Sequence, residues 1–445
     1  MRETVLPRTI GQTIEELRIA LQEYIEATYH LSDPRLVKQR RRLLKEQGLI
    51  HQRPYIESTP RYVSAQPFAE LGLDQAVLDV FSAVSKQDED LDIRIHDPPY
   101  QHQAASVRLS LLEGKSLMIT TGTGSGKTEC FLLPILGKLA REAANSGQAF
   151  GTNTAMRAMV LYPMNALVND QLGRLRLLFG DQRIVDKFIE WSGRPARFAR
   201  YTSRTLYPGV RKKDKDQSRL SAINKFYIET LKRAQEASSP EQRKAAELVS
   251  KLMSQGKWPA KPDLIRWYGK KGTRWYDPRT GSFNRCVTLP EDPELLTRHE
   301  VHAAPPDVLV TNYSMLEYML MRPLERPIFD YTREWLRDNP DQTFLLVIDE
   351  AHLYRGAAGA EVALLIRRLR MRLGIPPDRL QVICTSASFN DPEKAVAFGA
   401  QLSGKGCGDF AKVSGKLLFR PDAGLGTLQD AKALAAINLT QVCHA

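Results

Sequence analysis

Apolar positions change their spacing along this chain. Over residues 14–25 and 35–44 they recur every three or four positions, which predicts two amphipathic helices. Pro34 fits the start of the second and Gly48 its stop. Residues 74–84 predict a third helix. Residues 1–95 therefore read as a helical accessory region, and they carry no recognisable chemistry. From 96 to 400 the pattern becomes α/β. Five apolar runs, at 116–121, 157–162, 307–311, 344–348 and 381–384, predict buried parallel strands, with helical patterns at 128–144 and 166–179. Polar residues stand just after each run, where an open α/β sheet binds its ligands.

Residues 181–300 separate the second and third runs and are far longer than one crossover needs. They hold 26 Lys/Arg against 15 Asp/Glu, nearly the whole net charge of +12. Trp191, Trp258, Trp267 and Trp275 also fall here. A basic, aromatic-rich insertion of this kind predicts phosphate contacts and base stacking, with Arg211, Lys212, Lys213 and Lys215 as its densest basic run. The competing expectation is a subdomain whose tryptophans form its own core.

Length and composition are those of a globular protein of two or three domains. No apolar run spans a bilayer and no secretory signal opens the chain, so a cytoplasmic protein is expected. Five cysteines without a CxxC pair signal neither zinc nor a disulfide framework. The basic balance makes a polyanion a plausible partner.

Two motifs carry the chemistry. The strand at 116–121 runs into Thr121-Gly122-Thr123-Gly124-Ser125-Gly126-Lys127-Thr128. A glycine-rich turn between strand and helix lets backbone N–H groups converge on phosphate oxygens, aided by the helix dipole. Thr123, Gly124, Ser125, Gly126, Lys127 and Thr128 thus form a P-loop for ATP, with Lys127 on the β- and γ-phosphates and Thr128 on Mg²⁺. Thr121 stands where the general pattern has glycine. Downstream, the strand at 344–348 ends in Asp349-Glu350-Ala351-His352. Asp349 suits Mg²⁺, and Glu350 is placed to orient or deprotonate an attacking water.

These residues resemble the DEAD/DEAH-box helicases of superfamily 2. The resemblance implies a RecA-like domain of class α/β with a mainly parallel sheet. Tyr100-Gln101-His102-Gln103 resembles the adenine-reading motif, which assigns adenine to Gln103. The segments 162–171 and 307–316 resemble motifs that grip nucleic acid, which assigns that role to Pro163, Asn165, Thr311, Asn312 and Tyr313. Ser386-Ala387-Ser388 resembles the Ser-Ala-Thr motif that couples hydrolysis to movement, so Ser386 and Ser388 join Lys127, Asp349, Glu350 and His352 as catalytic candidates. His352 would contact this motif or a second motor domain. The segments 349–356 and 200–205 are similar to the mitomycin-repair helicases and the phage-defence helicases of Druantia and DISARM, which places DNA ahead of RNA as partner. The resemblance ends near 400, leaving 401–445 as a tail. The family's second RecA-like domain, with its Gln-x-x-Gly-Arg motif, is then expected on another chain or in a longer gene product. Two functions stay open: an ATP-dependent helicase or translocase motor, or an ATP- and nucleic-acid-binding module without independent turnover.

Overall fold

A computed structural model describes residues 9–46, 48–50, 61–87, 92–122, 124–236, 239–270, 272–389, 391–418 and 426–438. They divide into two compact units, one of residues 1–61 with 417–445 and one of residues 62–416.

In the smaller unit the first two helices form as expected, at Ile10–Thr28 and Pro34–Leu44. Thr9 and Gln12 close a capping box on the first, and Asp33 caps the second with Pro34 at its first position. The second helix stops at Leu44, before Gly48. The helix Leu428–Ala435 lies against Ile10–Thr28, where a Cβ on Gly11 would come 3.2 Å from the Ala435 carbonyl oxygen. Residues 417–445 therefore group with the N-terminal helices, and residues 401–416 with the larger unit.

The larger unit is built on eight strands: β1 (Ser116–Thr120), β2 (Ala158–Tyr162), β3 (Phe198–Arg200), β4 (Glu294–Leu295), β5 (Val308–Asn312), β6 (Phe344–Ile348), β7 (Leu380–Ser386) and β8 (Phe410–Ser414). Their order across the sheet is β8-β1-β7-β6-β2-β5-β3-β4, and every ladder is parallel. The five expected strands are all present; β3, β4 and β8 are additional. Alternate residues bury opposite faces of the sheet. Leu117, Val160, Val310 and Val347 join the helices Gln75–Ser85, Gln101–Leu111, Glu129–Asn145, Asn165–Phe179 and Gln182–Ser192 on one face. Met118, Met159, Leu309 and Leu346 join Tyr313–Met321, Arg326–Asp338, Gly356–Leu373 and Pro392–Ser403 on the other.

Two expectations change. The helix Gln75–Ser85 is part of the larger unit's core, since Val77, Val80, Phe81 and Val84 are fully buried in the first layer. The insertion is also shorter than 181–300. Helix Gln182–Ser192 packs on the sheet, and β3 and β4 extend it. The inserted subdomain lies between these two strands and has a separate core that includes Tyr207, Leu220, Val249, Trp258, Trp267 and Cys286.

At the opposite edge from the strands' C-terminal ends, a buried charge network fixes β2 against β5. Arg157 contacts Glu142 at 2.8 Å and Asp307 at 3.0 Å, and Arg194 meets Asp307 at 2.7 Å. Each buried charge has an opposite partner, without which burial would be strongly unfavourable.

Candidate nucleotide site

The turn after β1 needs its glycines. Gly124 and Gly126 both adopt φ of 74°, the left-handed region open to glycine. A Cβ on Gly126 would fall 2.4 Å from Gln103 Nε2. Thr121, the departure from the general pattern, closes the loop: its hydroxyl accepts from Ser125 Oγ at 2.7 Å. Helix Gln101–Leu111 braces the same loop. His102 Nε2 lies 2.8 Å from the Ser125 carbonyl, and Gln103 Nε2 donates to the Gly126 carbonyl at 3.2 Å. A carbonyl only accepts, so His102 carries its proton on Nε2. Burial lowers the His102 pKa and keeps the ring neutral. Gln103 Oε1 accepts from Tyr100 N at 2.9 Å, so both ends of the amide expected to read adenine already have partners. Thr123 lies outside the described residues. The following helix begins at Glu129, with Thr128 as its N-cap.

The acids arrive from β6, separated from β1 by β7. Glu350 sits at φ 50°, a left-handed conformation that a non-glycine residue keeps only when its surroundings hold it. Its amide meets Asp349 Oδ1 at 3.0 Å and Thr385 Oγ1 at 3.4 Å. The carboxylate is thereby turned toward Lys127, whose Nζ lies 3.2 Å from Glu350 Oε1. Burial raises the pKa of Asp349, opposed by the hydroxyl of Thr385, which donates to Asp349 Oδ1. Thr385 follows from register: Cys384 pairs with Ile348, so the next residues of β7 and of the β6 end face each other. Sequence reasoning chose Ser386 and Ser388 and missed it. Ser386 Oγ contacts His352 Nδ1 at 3.2 Å and accepts from Ser388 N at 3.2 Å, whereas the Ser388 side chain is exposed. His352 therefore contacts the Ser-Ala-Ser segment, as one of its two expected positions required.

Oxygen chemistry at this site fits magnesium. Thr128 Oγ1 stands at the loop's end, within 3.5 Å of Gln171 Nε2, and Asp349 is the buried acid. Glu129 Oε2 and Glu350 Oε2 are buried without a hydrogen-bond partner among the described residues, Glu350 Oε2 lying 3.3 Å from His352 Nδ1. Among the described residues no cluster of three His, Cys, Asp or Glu could cage a metal. One hydroxyl and one carboxylate, completed by phosphate and water, is the usual arrangement for Mg²⁺.

Ends of β2, β5 and β3 share the same edge of the sheet. Asn312 Nδ2 donates to Asn165 Oδ1 at 2.8 Å, and Asn165 Nδ2 reaches Ser203 Oγ at 3.5 Å. Of the residues expected to grip nucleic acid, Tyr313 is 37% exposed, and Pro163 and Asn165 are half-buried. Thr311 is fully buried and its hydroxyl donates to the Tyr201 carbonyl at 2.7 Å, so its side chain is turned inward, away from the exposed edge. Asn312 is also buried; it caps Tyr313–Met321 by accepting from Met315 N. Of the two expectations for the insertion's tryptophans, Trp258 and Trp267 follow that of a subdomain core. Trp258 and Trp267 are 3% and 1% exposed, and Trp267 Nε1 donates to Glu300 Oε1 at 2.8 Å. Arg211 is tied to Asp216 at 2.8 Å and covers the Phe283 ring, so the densest basic run begins with a structural residue.

A P-loop and an Asp–Glu pair on strands separated by one neighbour, in a doubly wound parallel sheet, define a RecA-like P-loop domain. The model of the DEAD/DEAH box helicase family matches residues 99–233 and 273–396, and the chain belongs to that family. It is 42% identical over 448 residues to the Druantia protein DruE of Escherichia coli, covering 97% of this chain and 23% of that protein. The uncharacterized ATP-dependent helicase MJ1574 of Methanocaldococcus jannaschii is 32% identical over 112 residues, covering 25% of this chain and 15% of that protein. The chain thus spans less than a quarter of the length of either relative. A crystal structure of the DUF1998 helicase MrfA bound to DNA is similar over 80% of this chain and 29% of that chain, with 21% identity and a TM-score of 0.42. No helix among the described residues is long and apolar enough to cross a membrane.

Proposed function

We propose that residues 62–416 form the Mg²⁺–ATP-binding motor domain of an ATP-dependent nucleic-acid helicase or translocase. The observation that carries this reading is the division of one sheet edge. The ends of β1, β7 and β6 bring together Lys127, Thr128, Asp349, Glu350 and Ser386, while the neighbouring ends of β2, β5 and β3 present Asn165, Tyr313 and Ser203. Lys127 would neutralise the phosphates, Thr128 and Asp349 would hold Mg²⁺, and Glu350 would orient the attacking water. The ion supplies charge neutralisation at the phosphates when bound. Gln103 keeps its assignment to the adenine edge, which requires exchange of one of its hydrogen bonds. The polar row at β2, β5 and β3 would follow a nucleic-acid backbone.

The resemblance to mitomycin-repair and phage-defence helicases, together with the identity to DruE, supports DNA ahead of RNA and a role in antiviral defence in the cytoplasm. The isolated chain fits the narrower reading of a binding module without independent turnover. Among the described residues no arginine is paired with Asp349 or Glu350, and the second RecA-like domain would supply one. Fluorescence anisotropy with labelled single-stranded DNA and RNA tests the reading. Binding that weakens steeply with salt, tighter for DNA, is expected. No binding of either polymer at low salt would refute it.

A further inference from the structure

The cleft between helix Asn165–Phe179 and the inserted subdomain carries cations that the nucleotide site does not use. We propose that Arg200, Arg204 and Lys257 form a phosphodiester site for single-stranded nucleic acid, with Lys257 supplied by the insertion. This inference rests on the nucleic-acid reading above.

Arg200 closes β3, and among the described residues its guanidinium hydrogen-bonds only to neutral groups. It donates to Asn169 Oδ1 at 2.7 Å and to the Arg204 carbonyl at 3.3 Å. Its neighbour Arg176 is, by contrast, clasped by both oxygens of Glu294 at 2.9 and 2.7 Å. Burial, and then the charge of Arg176, lower the pKa of Arg200. A guanidinium remains protonated regardless, and Glu294, which clasps Arg176, offsets only part of this positive charge. Arg204 and Lys257 are exposed on the rim, and among the described residues neither has a carboxylate partner. Asp170 is an opposing charge on the same rim of this cleft of about 390 Å³.

Lys257 is delivered by a backbone contact that only glycine allows. Gly256 follows helix Pro240–Ser254 at φ 65°, and a Cβ there would come 2.3 Å from the Gly173 carbonyl oxygen. Arg176 also donates to the Gly256 carbonyl at 3.4 Å. The turn is thereby seated on helix Asn165–Phe179, and the next residue, Lys257, faces the cleft. This lysine lies in residues 234–272, outside the ranges that the helicase family model matches.

The cleft also continues the polar row at the sheet edge. Ser203, between Arg200 and Arg204, meets Asn165 at 3.5 Å, and Asn169 lies one helical turn beyond Asn165. A backbone passing Asn165 and Ser203 would find its next anion sites on Arg200, Arg204 and Lys257. Three cations spread along an open cleft suit a repeating anion better than one compact phosphate.

The test is anisotropy of a labelled single-stranded DNA on the full chain and on Arg204→Ala/Lys257→Ala, across a salt titration. Among the described residues neither side chain makes a hydrogen bond or ion pair, so the double variant should melt with the wild type and bind Mg²⁺–ATP equally. Losing two phosphate contacts should make the log–log salt slope shallower by about 1.4, weakening binding about 20-fold at about 0.1 M salt. Arg204→Lys/Lys257→Arg should restore most of both. Pyrophosphate at matched ionic strength should not displace the DNA. Unchanged affinity and slope in the double variant, with wild-type binding intact, would overturn this site and leave the motor reading standing. Displacement by pyrophosphate would make it a small-anion site and overturn the proposal. Failure of the wild type to bind either single-stranded DNA or RNA would remove both readings.

Discussion

Lys127 Nζ stands 3.2 Å from Glu350 Oε1, pairing the cation suited to a nucleotide's phosphates with the acid suited to its attacking water. An incoming phosphate must separate this pair. Glu350→Gln removes both the competing partner and a negative charge facing ATP. It should bind Mg²⁺–ATP as tightly as the wild type or up to about tenfold tighter, a gain of about 1.4 kcal/mol. Calorimetry that instead finds binding lost would place Glu350 among the groups that hold the nucleotide.

Asp349 titrates above the ordinary carboxylate range because it is buried, and the Thr385 hydroxyl opposes that shift. The ion requires the carboxylate form, so Mg²⁺-dependent nucleotide affinity should fall on acidification at a higher pH than for a solvent-exposed Asp. Thr385→Val removes the opposing hydrogen bond and should move this loss to higher pH still. The sign for stability is the reverse of the usual carboxylate. In the absence of ligand, the native state binds the extra proton, so stability falls as pH rises from the unfolded to the folded pKa. Nucleotide titrations over a pH series for both proteins check the order; coincident profiles would exclude Thr385 from the site.

Trp267 tests whether the insertion's aromatics are core or ligand surface. It is buried in the subdomain core and donates to Glu300. Trp267→Ala should lower unfolding free energy by about 3–5 kcal/mol in urea titrations. Trp267→Phe, which keeps most of the volume, should leave DNA affinity unchanged. Reduced DNA affinity in a Trp267→Phe protein of wild-type stability would restore the stacking role.

The five long strands were legible because each is a continuous apolar run buried on both faces. β3 and β4 were not: three and two residues are too short to show a period, and they hid the sheet's extension inside the presumed insertion. The helix Gln75–Ser85 was visible, but amphipathicity does not say which surface receives its apolar face. Lys127, Asp349 and Glu350 were legible because phosphate and metal chemistry restrict residue type at fixed spacing. Thr385 needed the β6–β7 register, and the burial of Trp258 and Trp267 needed the tertiary structure. Thr311 had the right strand end but the wrong direction, its hydroxyl turned inward to Tyr201.

The charge inventory also predicts slow turnover. Among the described residues Glu350 pairs with Lys127 and lies 3.3 Å from His352, and Arg355 covers the Phe389 ring at 4.8 Å. No arginine among the described residues is paired with either acid. A missing arginine can lower phosphoryl-transfer rates by about 10³–10⁵. Steady-state ATPase assays with single-stranded DNA should show little turnover for this chain alone and recovery when a second RecA-like domain is supplied. Robust DNA-stimulated turnover, lost in Glu350→Gln, would mean that these residues suffice.

The most direct test of the nucleotide site is calorimetric titration of Mg²⁺–ATP into the wild type and Lys127→Ala, each first shown to melt at the same temperature. One-site binding by the wild type is expected. The variant should bind at least about a hundredfold more weakly, a loss of about 2.7 kcal/mol. Equal affinity in the two proteins would contradict the assignment of the P-loop as the ATP site.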